Sequence, residues 1–390
     1  LIVSVTLDRS AWALRCRAWL LESHLPLWAQ HGIDREAWGF FERLDAATLA
    51  PTGPDQRRSM VCARQLYLWS AAAHRFDQPE HHALADYAFA TLAERFQDKQ
   101  HGGWVFSLRR DGGLLDGRKD FYAHAFILFA LAHYARLNRQ RTDALTLAAE
   151  TWGLIQDKLR LPQGWFAAEA SADWKIEKRG LVQNPHMHLF EALLALLEVS
   201  GDIAYRNGAQ EIVTLFRTRL YTPDPGVIGE FFDVAGQPTG PEGAILEPGH
   251  HFEWAWLLRD AARHLDDSSL LPLADHLTHW AETQGSDTVR RGTYDQISRA
   301  SVPLQTTKRI WPQSEAAKTY ATAYSAAPSA ATLAPLLTRL EFLFSAYLQP
   351  DGRWHEHLSA DLQPMTNFLP ASTPYHLYFA LAEALDALAV

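Results

Sequence analysis

Apolar positions along this chain keep a helical rhythm with two alternating characters. Residues 142–160 place Leu145, Ala148, Trp152, Ile155 and Leu159 at steps of three and four, with polar residues between them. That spacing predicts a helix with one buried face. Residues 125–132 read AFILFALA and 189–199 read LFEALLALLEV, apolar all round, as in a fully enclosed helix. Half-exposed and enclosed helices are predicted to alternate over 12–30, 57–75, 80–97, 120–137, 142–160, 186–200, 203–219, 250–265, 268–284, 312–326, 331–348 and 374–388. The turn after each enclosed helix is short, as at Ser200-Gly201-Asp202, whereas the loop before it is long.

Those long loops share a glycine-plus-aromatic signature. It reads Trp38-Gly39-Phe40-Phe41, Gly102-Gly103-Trp104, Gly164-Trp165-Phe166, Gly229-Glu230-Phe231-Phe232, Gly292-Thr293-Tyr294 and Gly352-Arg353-Trp354. From Gly39 the steps are 63, 62, 65, 63 and 60 residues, so six units occupy essentially the whole chain. Six hairpins with enclosed helices inside and amphipathic ones outside predict an all-α, closed (α/α)6 barrel, one domain over residues 1–390. Closure explains why no end repeat looks like the polar cap of an open solenoid. Long loops gathered on one rim mark that rim as the functional end.

Composition narrows the classes of partner. The net charge of −9 argues against a nucleic-acid binder and an anionic membrane surface. No apolar stretch approaches the roughly 20 residues that span a bilayer. The opening Leu1–Leu7 is too short for the apolar core of a signal sequence, and two cysteines, Cys16 and Cys62, make no disulfide framework. The cytoplasm is the expected compartment. The 14 Trp, 19 Phe and 12 Tyr suit walls for flat sugar faces, although Trp mostly fills cores.

Equivalent polar residues on the inner helices should converge at the axis. Arg64, His124, His188, His250, Gln313 and His376 are separated by 60, 64, 62, 63 and 63 residues, each within an otherwise apolar helix. Six helix N-termini around them would stabilise developing negative charge. Each residue alone also has an ordinary reading as a hydrogen-bonded core group; their register favours a shared site. His188 with Glu191 and His250 with Glu253 are spaced to share a helix face. With His186 and His188 two residues apart, one of them should serve packing or the rim.

There is no HExxH or cysteine cluster for a metal, no Walker loop, no GxGxxG and no GxSxG, so no metal or cofactor is expected. A glycosidase would need two opposed carboxylates, one with a raised pKa. Histidines and an arginine better suit moving a proton on and off carbon beside a carbonyl.

These residues lie in motifs that resemble the N-acylglucosamine 2-epimerase superfamily, which includes cellobiose 2-epimerases and mannose isomerases. The stretches are Ala63-Arg64-Gln65, Tyr122-Ala123-His124-Ala125-Phe126, Gln183-Asn184-Pro185-His186-Met187-His188, Pro248-Gly249-His250-His251-Phe252-Glu253-Trp254, Trp311-Pro312-Gln313-Ser314-Glu315-Ala316 and Pro374-Tyr375-His376. The resemblance implies the same barrel. It also implies that His250 and His376 are the general acid and base at C1–C2 and that Arg64 steadies the enediolate. His188 and Asn184 would bind hydroxyls, Glu253 would support His250 or ring opening, and Tyr122 and Trp311 would form walls. His124 and Gln313 are added as substrate-binding candidates from their register.

His376 is followed by Leu377-Tyr378-Phe379, where animal N-acylglucosamine epimerases carry Val-Pro-Arg. Pro370–His376 looks nearer to mannose-acting bacterial members. With no Lys/Arg cluster on a glycine loop, a free sugar is expected, with mannose–fructose isomerisation or 2-epimerisation ahead of N-acetylglucosamine chemistry. An (α/α)6 glycosidase and a noncatalytic protein-binding relative are the alternatives. The expected partner is a small-molecule sugar, and a homodimer is the assembly to test for.

Overall fold

The computed structural model describes residues 8–138, 142–178 and 180–389; the opening Leu1–Leu7 segment lies outside them. Twelve helices build a ring: α1 Arg9–Ala18, α2 Ser59–Phe76, α3 Pro79–Thr91, α4 Phe121–Leu137, α5 Thr142–Leu154, α6 Gln183–Ser200, α7 Ile203–Leu215, α8 Pro248–His264, α9 Leu271–Thr283, α10 Ile310–Ala326, α11 Ala330–Phe342 and α12 Pro374–Ala389. The even-numbered helices are the enclosed ones. Each packs on the next around the axis, and α12 returns to α2. The odd-numbered helices pack outside them, and α1 lies against α12, so the first and last described helices form the sixth pair. This is the (α/α)6 barrel that the periodicity predicts.

Several outer helices end differently from the uniform helices predicted. The run over 142–160 is α-helical to Leu154 and then a π turn over Ile155–Leu159, and the run over 12–30 holds a π turn at Trp19–His24. The one-faced pattern survives because Ile155 and Leu159 stay fully buried in the widened turn.

Short strands, absent from the periodicity reading, knit the loops into a belt. The residues entering each inner helix pair antiparallel with the following repeat's loop. Arg57–Arg58 pairs with Ser107–Leu108, Lys119–Asp120 with Glu169–Ala170, and Leu181–Val182 with Phe231–Phe232. Ile245–Leu246 pairs with Gln296–Ser298 and Lys308–Arg309 with His357–Leu358, and Phe368–Pro370 pairs back to Arg43–Asp45 and closes the belt. Two- and three-residue strands carry too little alternation to read from sequence.

The glycine-aromatic signature is largely core. Trp104, Trp165 and Trp354 are each 1% exposed beneath the loops that carry them. At ~25 cal/mol per Å2 over roughly 200 Å2, each such Trp contributes about 5 kcal/mol gross. Gly103 cannot be replaced: its φ is +69°, and a Cβ would stand 2.6 Å from the Trp174 ring.

Candidate active site

The loop end of the barrel holds an axial cavity of about 480 Å3, into which the inner helices project residues at fixed positions. Counted from each helix start, second residues supply Tyr122, Asn184 and Trp311, and third residues supply His250 and His376. Sixth residues, one turn below the second, supply Arg64, His188 and Glu253. Eight of the ten residues predicted from sequence therefore line one cavity.

His124 and Gln313 do not line it, which corrects the six-in-register expectation. Both are fourth residues of their helices, and one step along a helix turns a side chain by about 100°. They face outward and clamp the signature loops. The Trp104 N–H donates to His124 Nε2 (3.2 Å), and His124 Nδ1 donates to the Asp120 carbonyl (2.7 Å). The same fourth-residue clamp recurs at His186 on the Phe166 N–H, at His251 on the Ile228 N–H and at Gln313 on the Thr293 N–H. Burial holds the His124 and His186 imidazoles down to about 4 and His251 to about 3, so each stays a neutral acceptor.

The two axial histidines are anchored differently. His250 Nδ1 lies 2.9 Å from Glu230 Oε2, a loop carboxylate within the fourth signature. Glu253, the predicted support, instead stands 3.9 Å from His188 Nδ1. Burial opposes charge on His250, but Glu230, with Glu247 behind it, outweighs burial and pushes it up to about 9. His376 Nδ1 lies 2.7 Å from Glu315 Oε1. There burial dominates and, aided by Arg64 and Lys318, brings His376 down to about 4 despite Glu315. One imidazole is thus charged and the other neutral near pH 7. The ring centroid of Trp311 lies 4.9 Å from His250 and 5.8 Å from His376, a shared wall between them.

Below them lies a buried polar floor. His188 Nδ1 meets Glu191 at 3.1 Å, the pairing that their spacing predicted, and the Tyr375 hydroxyl donates to the same carboxylate at 2.7 Å. Burial, only partly offset by Lys318 and Tyr375, raises Glu191 to about 7. Burial and the neighbouring Glu315 raise Glu253 well above the usual carboxylate range; its Oε1 accepts no hydrogen bond from the protein. Burial thus favours the protonated form of Glu253. With Glu230 engaged by His250 and Glu247 by Arg309, the described lining residues leave no freely opposed carboxylate pair of the kind glycoside hydrolysis requires.

Arg64 Nη1 donates to the Ser372 carbonyl (2.9 Å) and Nη2 to the Tyr122 hydroxyl (2.7 Å), with its guanidinium over Phe126 and Tyr375. No carboxylate pairs with it among the described residues, so its charge is free to meet an anion. Asn184 Oδ1 is likewise without a partner. His188, Glu191 and Glu253 have ligand atoms within 4.8 Å of one another, the geometry of a cation site. Arg64 and Lys318 act on the same imidazole and compete with a cation there.

Sequence reasoning passed over Glu230, Glu315, Lys318 and Tyr375 as functional groups. Glu315 shares the sixth-residue position with His188 and Glu253, a signal that could have found it. Glu230 sits beside the pairing of Leu181–Val182 with Phe231–Phe232, which holds its loop next to His250.

Comparison with known proteins places this geometry. The family model for N-acylglucosamine 2-epimerase (GlcNAc 2-epimerase) matches residues 39–380. A mannose-6-phosphate isomerase of Rhizobium meliloti (strain 1021) is 34% identical over 95% of this chain and 96% of its own. A D-mannose isomerase of Thermobifida fusca is 30% identical over 57% of this chain and 56% of its own. The solved cellobiose 2-epimerase of Bacillus thermoamylovorans B4167 superposes with a TM-score of 0.88 at 21% identity, over 97% of this chain and 99% of that one. The chain belongs to the N-acylglucosamine 2-epimerase family of sugar isomerases and epimerases.

Proposed function

We propose that this enzyme interconverts a free aldose with its 2-ketose or 2-epimer, mannose–fructose isomerisation being the preferred reaction, by proton transfer between His250 and His376. The observation that carries this reading is the pair itself: two buried imidazoles in one cavity, each held at Nδ1 by its own carboxylate, one charged and one neutral. The neutral His376 is the base that removes the C2 proton, made acidic by the C1 carbonyl of the opened sugar. Protonated His250 is the acid. Arg64 and the inner-helix N-termini stabilise the enediolate oxygen, a preorganised donor array. Glu253 carries its proton where it can donate to a sugar oxygen, and His188, Asn184, Tyr122 and Trp311 hold the hydroxyls and the ring face. Return of the proton by His376 to C1, with His250 protonating O1 and then taking the O2 proton, gives the ketose; delivery by His250 to the other face of C2 of the enediolate gives the epimer.

The name of the Rhizobium relative favours a second reading, mannose 6-phosphate. Cavity charge supports the free sugar instead. Arg309 is tied to Glu247 and Asp295, which leaves Arg64 as the lining's one arginine without a carboxylate, and no lysine lines the cavity among the described residues. Free sugars and the buried, unpaired thiols of Cys16 and Cys62 suit the cytoplasm.

The test uses His250→Asn and His376→Asn, which keep an N–H for Glu230 and Glu315. Each is expected to lower kcat on mannose by about 10^2-fold or more with thermal stability nearly unchanged. Turnover retained in both would remove them from the chemistry, and a higher kcat/KM on mannose 6-phosphate than on mannose would select the second reading.

A further inference from the structure

Under the cavity floor, at the ninth position of α10, sits Lys318, a fully buried cation that does not line the substrate cavity. Its ammonium lies 2.6 Å from Glu315 Oε2, an ion pair rather than an aligned hydrogen bond. It also lies over two ring faces, 4.1 Å from the centroid of Trp256 and 4.4 Å from that of Phe379. The other oxygen of the same carboxylate, Oε1, takes the 2.7 Å contact with His376 Nδ1. Glu315 thus joins a buried lysine on one side to an axial imidazole on the other.

A lysine in that place is costly unless it does more than fill space, because a buried ammonium forfeits its hydration. Three carboxylates crowd the same layer: Glu315 on α10, Glu253 on α8 and Glu191 on α6. One lysine neutralises one of them, and the ion pair selects Glu315. Burial would raise the Glu315 carboxyl, but Lys318 and His376 hold it down to about 2, while Glu191 and Glu253 are raised. An ionised Glu315 is an acceptor only, so His376 must carry its hydrogen on Nδ1. That leaves Nε2 as a bare lone pair.

We propose that Lys318 is a positioning residue for proton transfer: by pinning one oxygen of Glu315 it fixes the other as acceptor for His376 Nδ1 and so reserves His376 Nε2 as the atom that takes the substrate proton. This rests on the reading of His376 as the base. The charged and titratable groups that act on the Glu315–His376 pair are Lys318 on its own helix, Arg64 from α2, Glu191 and His188 from α6, Glu253 from α8 and Tyr375 from α12, with Glu383 beyond Lys318. Removing the Lys318 charge favours proton uptake by the pair.

The experiment compares Lys318→Met, Lys318→Arg, Glu315→Gln and the Lys318→Met/Glu315→Gln double variant on the sugar that the wild-type enzyme turns over. Lys318→Met is expected to lower kcat by about tenfold or more with KM little changed, and Glu315→Gln to do the same. The double variant should be no worse than the poorer single one, because both act through one carboxylate. The acidic limb of kcat should move to higher pH in Lys318→Met and stay near its wild-type place in Lys318→Arg. A wild-type kcat with an unmoved limb in Lys318→Met, or fully additive losses in the double variant, overturns the proposal. Should Lys318→Met fail to fold, 15N NMR of unmutated enzyme decides: His376 protonated at Nδ1 and bare at Nε2 near pH 7 is expected, and the opposite tautomer refutes it. Retained activity in His376→Asn would instead overturn the underlying reading, so the two failures are distinguishable.

Discussion

At the scale of single residues, two histidines in one cavity are given opposite charge states by their surroundings. His250 has Glu230 and Glu247 around it and is pushed up to about 9 despite its burial, whereas burial, aided by Arg64 and Lys318, brings His376 down to about 4. If His376 must be neutral and His250 protonated, kcat/KM rises with pH through about 4 and falls through about 9. Replacing Glu230 with Gln removes the charge that sustains the His250 proton. The alkaline limb should then move to lower pH and the acidic limb stay; a profile measured across this range checks both, and an unmoved alkaline limb would separate Glu230 from His250. The residue types at this site were legible in the sequence because chemistry-bearing side chains stand out in apolar helices. Their partners were less so. Lys318 sits in the run Ala316-Ala317-Lys318-Thr319-Tyr320 with nothing in its spacing to mark it as buried, and its role depends on Trp256 and Phe379 from two other helices.

Within each inner helix, position decides function. The cavity-lining groups come from second, third and sixth places, and in four of the six helices the fourth residue, His124, His186, His251 or Gln313, points back to the loop that precedes the helix. This is why His186 and His188, two residues apart, do unrelated work: one accepts from the Phe166 N–H, the other meets Glu191 in the floor. It is also why a repeat of about 63 residues aligned His124 and Gln313 with the wrong set. A slip of one or two residues preserves the apparent period and sends the side chain to a different face. His124→Ala should therefore act on stability and not on chemistry. It leaves the Trp104 N–H buried without an acceptor, at a cost of about 1–3 kcal/mol. Thermal unfolding should show that loss while KM and kcat stay near wild type; a selective rise in KM would return His124 to the substrate.

For the whole molecule, closure brings distant sequence together. The contact of α12 with α2 places His376 in the cavity of Arg64, and the Ser372 carbonyl that receives Arg64 Nη1 lies 308 residues along the chain from it. The (α/α)6 ring was legible from the alternation of half-exposed and enclosed helices, because that alternation extends along the chain. The belt of two- and three-residue strands was not, and it brings Glu230 to His250. On the proposed reading, the cavity so assembled is where a proton moves between C1 and C2 of an opened sugar. The direct test is an NMR time course with mannose in D2O. Fructose is expected, with deuterium entering C1 of the product only to the extent that His376 exchanges before it returns the proton. Deuterium at C2 with glucose as product would mean that His250 delivers the proton, the epimerase branch of the same pair. No exchange and no product from mannose, with His250→Asn and His376→Asn indistinguishable from wild type on every sugar that is turned over, would contradict histidine-mediated transfer in this cavity.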